Sequence, residues 1–201
     1  MMISNIQIRS RNGLELTVRP VLPEDGALIE KGFEHLSERS RYQRFLAPIS
    51  SLSRSQLSYL SEVDQQRHVA LGVLHGAEPV GVVRMVCLPD SETDADVAIT
   101  LVDDYQGQGI GSELLRVMAV VARHRGIPRL HFDVSAENTA MLKMLGWLPE
   151  LERDETGSVV HVVVDPAGIP LPTPAARSIE AMVDEAACQV AAVLSRSMNT
   201  P

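Results

Sequence analysis

The sequence predicts an α/β (α+β) domain, in which a mixed, mostly antiparallel sheet is flanked by helices and followed by a C-terminal amphipathic helix. Three observations predict this class. Alternating apolar and polar residues around a turn signal give an N-terminal hairpin. β-branched runs joined by short polar turns fill the middle of the chain. Segments with apolar residues at helical spacing lie before, between and after those runs.

Each element follows from a local pattern. The N-terminal part is predicted to hold the hairpin, a helix that begins at Pro23, and two short helices in SERSRYQRFL and SRSQLSYLSEV. The strands HVALGVL, PVGVVRMVCL and VAITLV follow. The remaining elements are a long helix over Ser112 to His124, the strand RLHFDVS, a short helix over Glu137 to Leu145, and SVVHVVVD as the last strand.

The composition after the last strand predicts three parts. We assign residues 1–165 to one domain, 166–176 to a proline-rich linker and 177–201 to a helical tail. The tail has an apolar face made of Ile179, Met182, Val183, Ala186, Val190, Val193 and Leu194. We expect this face to pack back on the domain. A dimer contact is the alternative, so the chain is expected to be a monomer or a homodimer.

Charge and composition limit the function classes. With 18 Lys and Arg residues against 26 Asp and Glu residues, the net charge of -8 argues against nucleic acid and anionic membranes as partners. Six scattered histidines and two distant cysteines, Cys87 and Cys188, lack metal-ligand spacing, so no metal is expected. The first residues, MMISNIQIRSRNG, lack a signal-peptide pattern, and we expect a cytoplasmic protein.

The stretch VDDYQGQGIGSELL points to phosphate binding. Its glycines alternate at positions 107, 109 and 111 between a predicted strand and a predicted helix. Each glycine costs roughly 0.5–1 kcal/mol relative to alanine, whereas unpaired N–H groups at a helix N-terminus attract anions. A purely structural turn is one alternative. Another is a dinucleotide-binding fingerprint, with Asp133 near the place of its ribose-binding acid, but Ser112 stands where its third glycine belongs.

The third interpretation is a family resemblance. Gln106-Gly107-Gln108-Gly109-Ile110-Gly111 resembles the Q-x-x-G-x-G pyrophosphate motif of the GNAT superfamily of acyl-CoA-dependent N-acyltransferases. The order of elements is similar over roughly Leu16 to Asp165, and VRPVLPED, LSERSRYQRFL and the motif region look like the catalytic domain of bacterial Pat-type protein lysine acetyltransferases. The resemblance implies the GNAT fold, acetyl-CoA as co-substrate without a metal, and acetylation of lysines on enzymes such as acetyl-CoA synthetase.

The resemblance also implies a binding site for coenzyme A. Its pyrophosphate would be bound by the backbone N–H groups of Gly107, Gln108, Gly109, Ile110, Gly111 and Ser112. Gln106 would order the loop and contact a phosphate. Leu101 and Val102 would bind the pantetheine arm through backbone groups, and a backbone N–H near the end of that strand would polarise the thioester carbonyl. Asn138 would contact the arm from the other side, cap the following helix, or do both.

Asp96 is the predicted catalytic base. At pH 7 roughly one free lysine in two thousand is unprotonated, so a residue that removes the proton is useful. Asp96 opens the strand before the glycine motif, where the GNAT family often has glutamate; the shorter aspartate would act directly or through a water. A solvated acid at a loop edge is the alternative. Asp94 is the second choice, and the whole acidic segment DSETDAD would attract a lysine side chain.

The helical segment SRYQRF has two interpretations. We expect Tyr42 and Phe45 in the core and Arg41 and Arg44 on a solvated face. In domains related by the resemblance, this segment borders the acceptor site, and contact with the substrate is the alternative.

Several functions remain open at this point. Many GNAT members have a tyrosine after the motif asparagine that protonates the departing thiolate, whereas NTAMLKMLGW has none, and Tyr42, Tyr59 and Tyr105 lie elsewhere. A thiolate with a pKa of about 8.5 is a tolerable leaving group near neutrality. We therefore predict acetylation of lysines on partner proteins. Acetylation of a small amine and a non-catalytic acyl-CoA-binding module are the alternatives.

Overall fold

The structure, a computed structural model, describes residues 4–172 and 176–198, the last six by their backbone alone. Eight strands form one sheet: β1 (Ile6–Arg9), β2 (Glu15–Pro20), β3 (His68–His75), β4 (Glu78–Cys87), β5 (Asp94–Leu101), β6 (Arg129–Ser135), β7 (Glu150–Thr156) and β8 (Val159–Val164). Their order across the sheet is β1-β2-β3-β4-β5-β6-β8-β7. Only the β5–β6 pair is parallel among these described strands, which confirms the predicted mixed, mostly antiparallel sheet.

Six helices flank the sheet in the described chain: α1 (Gly26–Glu34), α2 (Glu38–Phe45), α3 (Arg54–Ser61), α4 (Ile110–His124), α5 (Thr139–Leu145) and α6 (Ala176–Met198). The short helices have the caps that the sequence supplies. Ser37 accepts a hydrogen bond from the backbone N–H of Ser40 at the start of α2, and Ser53 forms a capping box with Gln56 in α3. Pro23 begins a 3-10 turn, and α-helical geometry starts only at Gly26.

The main core lies between one face of the sheet and α4. Leu114, Leu115 and Met118 of this helix are fully buried, as are Leu130 and Phe132 on the facing side of β6. Alternate residues of β6 face the other way and are polar. The pattern therefore places the apolar side of the sheet under α4 and leaves the polar side for other contacts.

The C-terminal helix α6 packs against α4, as the apolar pattern predicted. Ile179, Met182 and Val183 are buried in the main core, and Asp184 forms ion pairs with His124 and Arg125 of the α4 end. This apolar face is therefore covered by the chain itself over the described side chains. Val193 and Leu194 lie outside the residues whose side chains are described. The division at residues 165 and 176 and the oligomeric state stay predictions, and residues 173–175 of the linker lie outside the described residues.

Strand β7 was not predicted, whereas SVVHVVVD, the predicted last strand, coincides with β8. The sequence of β7 is ELERDET, and all seven of its residues are exposed. It pairs with the valine-rich β8 and forms an edge of the sheet. Because neither of its faces is buried, the alternation of apolar and polar residues that marks a strand is missing.

Helices α1 to α3 cover the second face of the sheet only in part. Their small cluster packs Val21, Val63 and Ala70 together on the β3 side. The polar face of β5, β6 and β8 is left open beside them and forms one wall of a cleft. In the part of the chain that the structure describes, none of the helices combines the length and apolarity needed to span a membrane.

Candidate active site

The glycine loop connects β5 to α4 through a 3-10 turn at Asp103–Tyr105. Gly107 and Gly109 adopt left-handed backbone conformations, with φ of 71° and 82°. These two glycines are therefore required by the turn itself, since other residues rarely adopt such angles. Gly111 lies inside α4, where an added Cβ would make only ordinary contacts, 3.8 Å from atoms of Leu101 and Met144. The chain itself gives no steric reason for glycine at position 111.

Consecutive backbone donors are unpaired in this loop. From Gly107 to Ser112, no backbone N–H has an acceptor within the described part of the chain. Gly109 is the N-cap residue of α4, so the N–H groups of Ile110, Gly111 and Ser112 lie at the positive end of the helix dipole. This arrangement suits a diphosphate, which offers several oxygen acceptors and negative charge.

The loop is held in place by hydrogen bonds to a backbone carbonyl of β5 and to serines at the start of α2. The Gln106 Nε2 donates to the Leu101 carbonyl at 3.0 Å and to the Ser40 hydroxyl at 3.1 Å. The Asp103 carboxylate accepts hydrogen bonds from Ser37 and Ser40 at the start of α2. Partial burial acts to raise the pKa of Asp103, but these hydrogen bonds outweigh it and lower the pKa. Gln106 thus orders the loop through its amide nitrogen.

Strands β5 and β6 separate after Asp96, before the glycine loop begins. Their parallel pairing covers only Asp94–Asp96 against Arg129–His131, and the strands diverge beyond it. The Val102 N–H donates to the Val80 carbonyl at 2.9 Å, so it points toward β4. Because backbone groups alternate along a strand, those of Leu101 and Ile99 point into the gap instead.

This alternation corrects one expected contact with the pantetheine arm. Val102 has both backbone groups engaged, since its carbonyl also accepts from the Tyr105 N–H. Leu101 remains suitable through its N–H. Ile99, which the sequence reasoning missed, takes the place of Val102 in the edge that faces the gap. The direction of each backbone group depends on the register of β5 against β4, for which the sequence has no signal.

Asn138 lies on the opposite side of this gap, at the start of α5. Its Oδ1 accepts a hydrogen bond from the Met141 backbone N–H at 3.1 Å, which is the N-cap role. The same residue lines the cleft, and its Nδ2 has no acceptor within the described residues. The geometry is thus compatible with capping and ligand contact at once.

Asp96 lies on the open face of β5 and lines the cleft, which has a volume of about 510 Å³. It has no hydrogen bond or ion pair with the described residues. Solvent reaches it through the open cleft, yet the walls reduce its hydration. This desolvation, followed by the negative charge of Asp133, raises the pKa of Asp96, while His131 and His161 act in the opposite direction. A carboxylate with a raised pKa is a better proton acceptor.

Asp94, the second choice for the base, is unsuited to that role. It accepts hydrogen bonds from Ser91, Thr93, Arg129 and His131. These bonds, those of Ser91 and His131 above all, hold the pKa of Asp94 well below its usual range. A carboxylate so stabilised in its ionised form is a poor base. The expectation for Asp94 was therefore wrong.

Two histidines connect Asp94 with Asp133 beside Asp96. His131 Nε2 lies 2.6 Å from the Asp94 carboxylate, His131 Nδ1 lies 3.2 Å from His161 Nε2, and His161 Nδ1 lies 2.7 Å from the Asp133 carboxylate. Each ring therefore links a carboxylate to the other histidine, and the two histidines form a continuous chain of contacts beside Asp96.

Arg11 is a further residue that the sequence reasoning missed. It lies in the turn between β1 and β2, and its backbone N–H donates to the Gln108 carbonyl at 2.8 Å. Its side chain passes over the glycine loop, so that a Cβ added to Gly109 would lie 2.9 Å from the Arg11 Cγ and Nε. The guanidinium has no ion pair within the described residues. This cation is well placed for a phosphate group, although about a hundred residues separate it from the motif.

The wall of the cleft opposite the sheet comes from α2 and α3. Arg44 and Phe45 of α2 and Tyr59 of α3 line it. Arg44 was expected on a solvated face, and this expectation was wrong. Arg41 is bound to the carbonyl oxygens of Ser50 and Glu34 and lies over the Phe33 ring. No group of three or more potential ligand side chains is arranged to hold a metal ion among the described residues.

A comparison with known families shows to which family the chain belongs. The family model described as "Acetyltransferase (GNAT) domain" matches residues 15–148, which include β2 to α5 and the glycine loop. The chain belongs to the GNAT acetyltransferase family. The sheet, loop and cleft described above are those of the GNAT fold.

Several relatives resemble this GNAT protein over most of its length. It is 34% identical over 165 residues to Acetyltransferase Pat of Mycolicibacterium smegmatis, a match that covers 81% of this chain and 49% of that protein. It is 30% identical over 157 residues to Acetyltransferase PA5475 of Pseudomonas aeruginosa, covering 75% and 84%. The crystal structure of the GNAT domain of S. lividans PAT superimposes with a TM-score of 0.74 at 28% identity, covering 80% and 96%. The chain thus spans about half the length of the M. smegmatis Pat.

Proposed function

We propose that this GNAT protein transfers the acetyl group of acetyl-CoA to lysine side chains of partner proteins in the cytoplasm, with acetyl-CoA synthetase as the first candidate. The observation that carries the proposal is Asp96. It is an unpaired carboxylate with a raised pKa, and it lines an open cleft beside the separated edge of β5. The similarity to two Pat proteins supports the choice of a protein substrate.

Coenzyme A would be bound mainly by the backbone. The unpaired N–H groups from Gly107 to Ser112 are suited to the diphosphate, and Arg11 supplies a cation beside them. The pantetheine arm would lie along Ile99 and Leu101, with the Nδ2 of Asn138 across the gap. A backbone N–H of this edge would donate to the thioester oxygen and stabilise the negative charge that develops there.

The acceptor lysine would enter the cleft as an ammonium ion. Asp96 would remove one proton, directly or through a water, and the neutral amine would attack the thioester carbonyl carbon. A C–N bond forms and the C–S bond breaks. The attacking nitrogen loses its second proton to solvent, so the products are an amide, the coenzyme A thiolate and a released proton. Helix α5 has no tyrosine to protonate this thiolate, and a leaving group with a pKa of about 8.5 departs near neutral pH without a general acid.

The experiment that tests the proposal compares acceptor classes. Thiol release from acetyl-CoA is measured with acetyl-CoA synthetase, with a panel of polyamines and aminoglycosides, and with no acceptor, and the modified residues are located by mass spectrometry. We expect acetyl-lysine on the protein substrate and release well above the background. Rapid turnover of a small amine without protein acetylation would show that the acceptor is a small amine and not a protein lysine. No thiol release with any amine would favour a non-catalytic acyl-CoA-binding module.

A further inference from the structure

Arg84 is a buried cation that has no carboxylate partner among the described residues. It lies on β4 with 2% of its surface exposed. One terminal nitrogen donates to the Leu60 carbonyl and the other lies 3.2 Å from His68 Nε2. Burial, and then the charge of Arg84, lower the pKa of His68 to about 4, so this ring is neutral at pH 7. Neither contact supplies a negative charge, and the Arg84 Nε has no hydrogen-bond partner within the described chain.

Arg44 brings a second guanidinium to the same cleft. It is partly buried, its Cζ lies 5.0 Å from the Phe45 ring centroid, and it has no ion pair within the described residues. Burial lowers the pKa of Arg44; burial and then the charge of Arg44 lower that of Arg84 to about 10. Both groups therefore stay protonated at pH 7. Two desolvated cations without a counter-ion are unfavourable, and a bound anion would remove this cost.

Arg84 lies close to the predicted base. In the β4–β5 ladder Asp96 pairs with Val86, and Arg84 pairs with Ala98. Arg84 is thus the diagonal neighbour of Asp96 on the same face of the sheet, at a spacing of about 7–8 Å between backbones. The same cleft is lined by the carboxylates of Asp96 and Asp133 and by the side chains of Arg44 and Arg84.

We propose that Arg44 and Arg84 bind a carboxylate carried by the acceptor, so that the preferred acceptor has its amine and an acidic group close together. Guanidinium groups bind carboxylates through paired hydrogen bonds, which gives direction as well as charge. The carboxylate comes either from an acidic residue beside the target lysine or from the main-chain end of a free amino acid, and the chemistry is the same. The inference rests on the proposed acetyl transfer in the cleft of Asp96. It narrows the acceptors to amines that carry a carboxylate close to the reacting nitrogen.

A purely structural role is the competing explanation for Arg84, because it donates to a carbonyl in the last turn of α3. Arg44 has no such contact, so its substitution tests the proposal without breaking a hydrogen bond within the described chain. Arg39 provides the matched control. It lies on the same helix, is exposed, does not line the cleft, and loses the same charge on substitution by Gln.

The experiment measures binding by titration calorimetry, with the full chain saturated with coenzyme A so that no turnover occurs. The probes are Nα-acetyl-lysine, which has a carboxylate, and Nα-acetyl-lysine amide, which lacks it. A second pair consists of short lysine peptides with Asp or Asn beside the lysine. We expect the carboxylate form of at least one pair to bind about tenfold or more tightly. That preference should be lost in Arg44→Gln and Arg84→Gln and kept in Arg39→Gln.

Each outcome has a defined meaning. The pair that shows the preference identifies the source of the carboxylate. Three results would overturn the proposal: equal affinity within both pairs, no binding of any probe, or a preference that survives Arg44→Gln. These results are decisive even if Arg84→Gln fails to fold. The arginines could instead bind a carboxylate on the acyl group. In that case the protein would prefer succinyl-CoA to acetyl-CoA, Arg44→Gln would remove this preference, and the acceptors would bind equally; this result would also overturn the proposal. Carboxylate binding without any thiol release would contradict the proposed function alone.

Discussion

Asp94 and Asp96 lie two residues apart on the same face of β5, yet their surroundings move their pKa values in opposite directions. Asp94 accepts four side-chain hydrogen bonds, whereas Asp96 accepts none within the described chain and lies near the negative charge of Asp133. The sequence names both acids but cannot separate their roles, because the partners come from β6 and from the preceding loop. Only the fold distinguishes the surroundings of the two carboxylates.

The first prediction concerns Asp96 itself. We expect Asp96→Asn to bind acetyl-CoA as the wild type does and to release thiol at least about tenfold more slowly with amine, because the amide cannot accept the proton. Thiol release is followed together with calorimetry. Asp90→Asn, in an exposed part of the acidic loop, is the control and should keep full activity. Equal rates for Asp96→Asn and wild type would exclude Asp96 as the base.

The second prediction concerns pH dependence. Asp96 works only when ionised, and its pKa is raised, so activity should fall with decreasing pH at a higher pH than for an ordinary aspartate. In Asp133→Asn a neighbouring negative charge is removed, so the pKa of Asp96 should fall and the acidic limb of kcat/KM should move to lower pH. The wild type and Asp133→Asn are measured with the same acceptor, so that the titration of the acceptor amine affects both profiles equally. If the acidic limb stays in place or moves to higher pH, the charge of Asp133 does not raise the pKa of Asp96.

At the scale of an element, the loop from Val102 to Gly109 and helix α4 form a single unit. The motif is local, so the sequence alone predicted the strand, the loop and the helix in order. Gly107 and Gly109 are explained by positive φ, while Gly111 has no such requirement. Arg11 could not be predicted to lie on this loop, because a turn between β1 and β2 carries it there through tertiary contacts.

The third prediction tests this unit. Gly109→Ala places a Cβ at a φ of 82° and 2.9 Å from Arg11, so we expect a loss of about 1 kcal/mol or more in unfolding free energy and weaker binding of acetyl-CoA. Gly26→Ala in α1, where the space is open and φ is negative, should be neutral or slightly stabilising. Denaturant unfolding and calorimetry measure both effects. A neutral Gly109→Ala would show that the loop does not need its left-handed glycine.

Strand β7 and helix α6 show where element prediction succeeds and fails. The apolar period of α6 predicted its buried face, because burial on one side leaves a regular pattern. Strand β7 leaves no pattern, since both of its faces are exposed. Its existence depends on pairing with β8, which is a property of the assembled sheet.

The fourth prediction concerns α6. Ile179 is fully buried in the core, so Ile179→Ala should lower the unfolding free energy by about 2–5 kcal/mol. Ser178→Ala, its exposed neighbour, should have little effect. Thermal or urea unfolding of both variants makes the comparison. If Ile179→Ala is as stable as Ser178→Ala, the helix does not pack on the domain in solution.

At the scale of the whole molecule, function depends on an uneven covering of the sheet. Helices α4 and α6 cover the apolar face, and α1 to α3 cover only part of the other, so the polar residues of β5, β6 and β8 line an open cleft. The fold was predictable from the sequence because the order of its elements resembles a known family. The edge offered by Ile99 and Leu101 was not predictable, because strand register determines it. The positions of the arginines that line the cleft with Asp96 were not predictable either, because long-range packing determines them.

The central claim is that unpaired backbone donors from Gly107 to Ser112 bind the diphosphate of coenzyme A. Titration calorimetry of the wild-type chain with acetyl-CoA and with acetyl-pantetheine, which lacks the diphosphate, tests it most directly. The account predicts saturable binding of acetyl-CoA at one site per chain, with affinity at least about tenfold above that of acetyl-pantetheine. No heat from acetyl-CoA, or equal affinity for the two ligands, would contradict it.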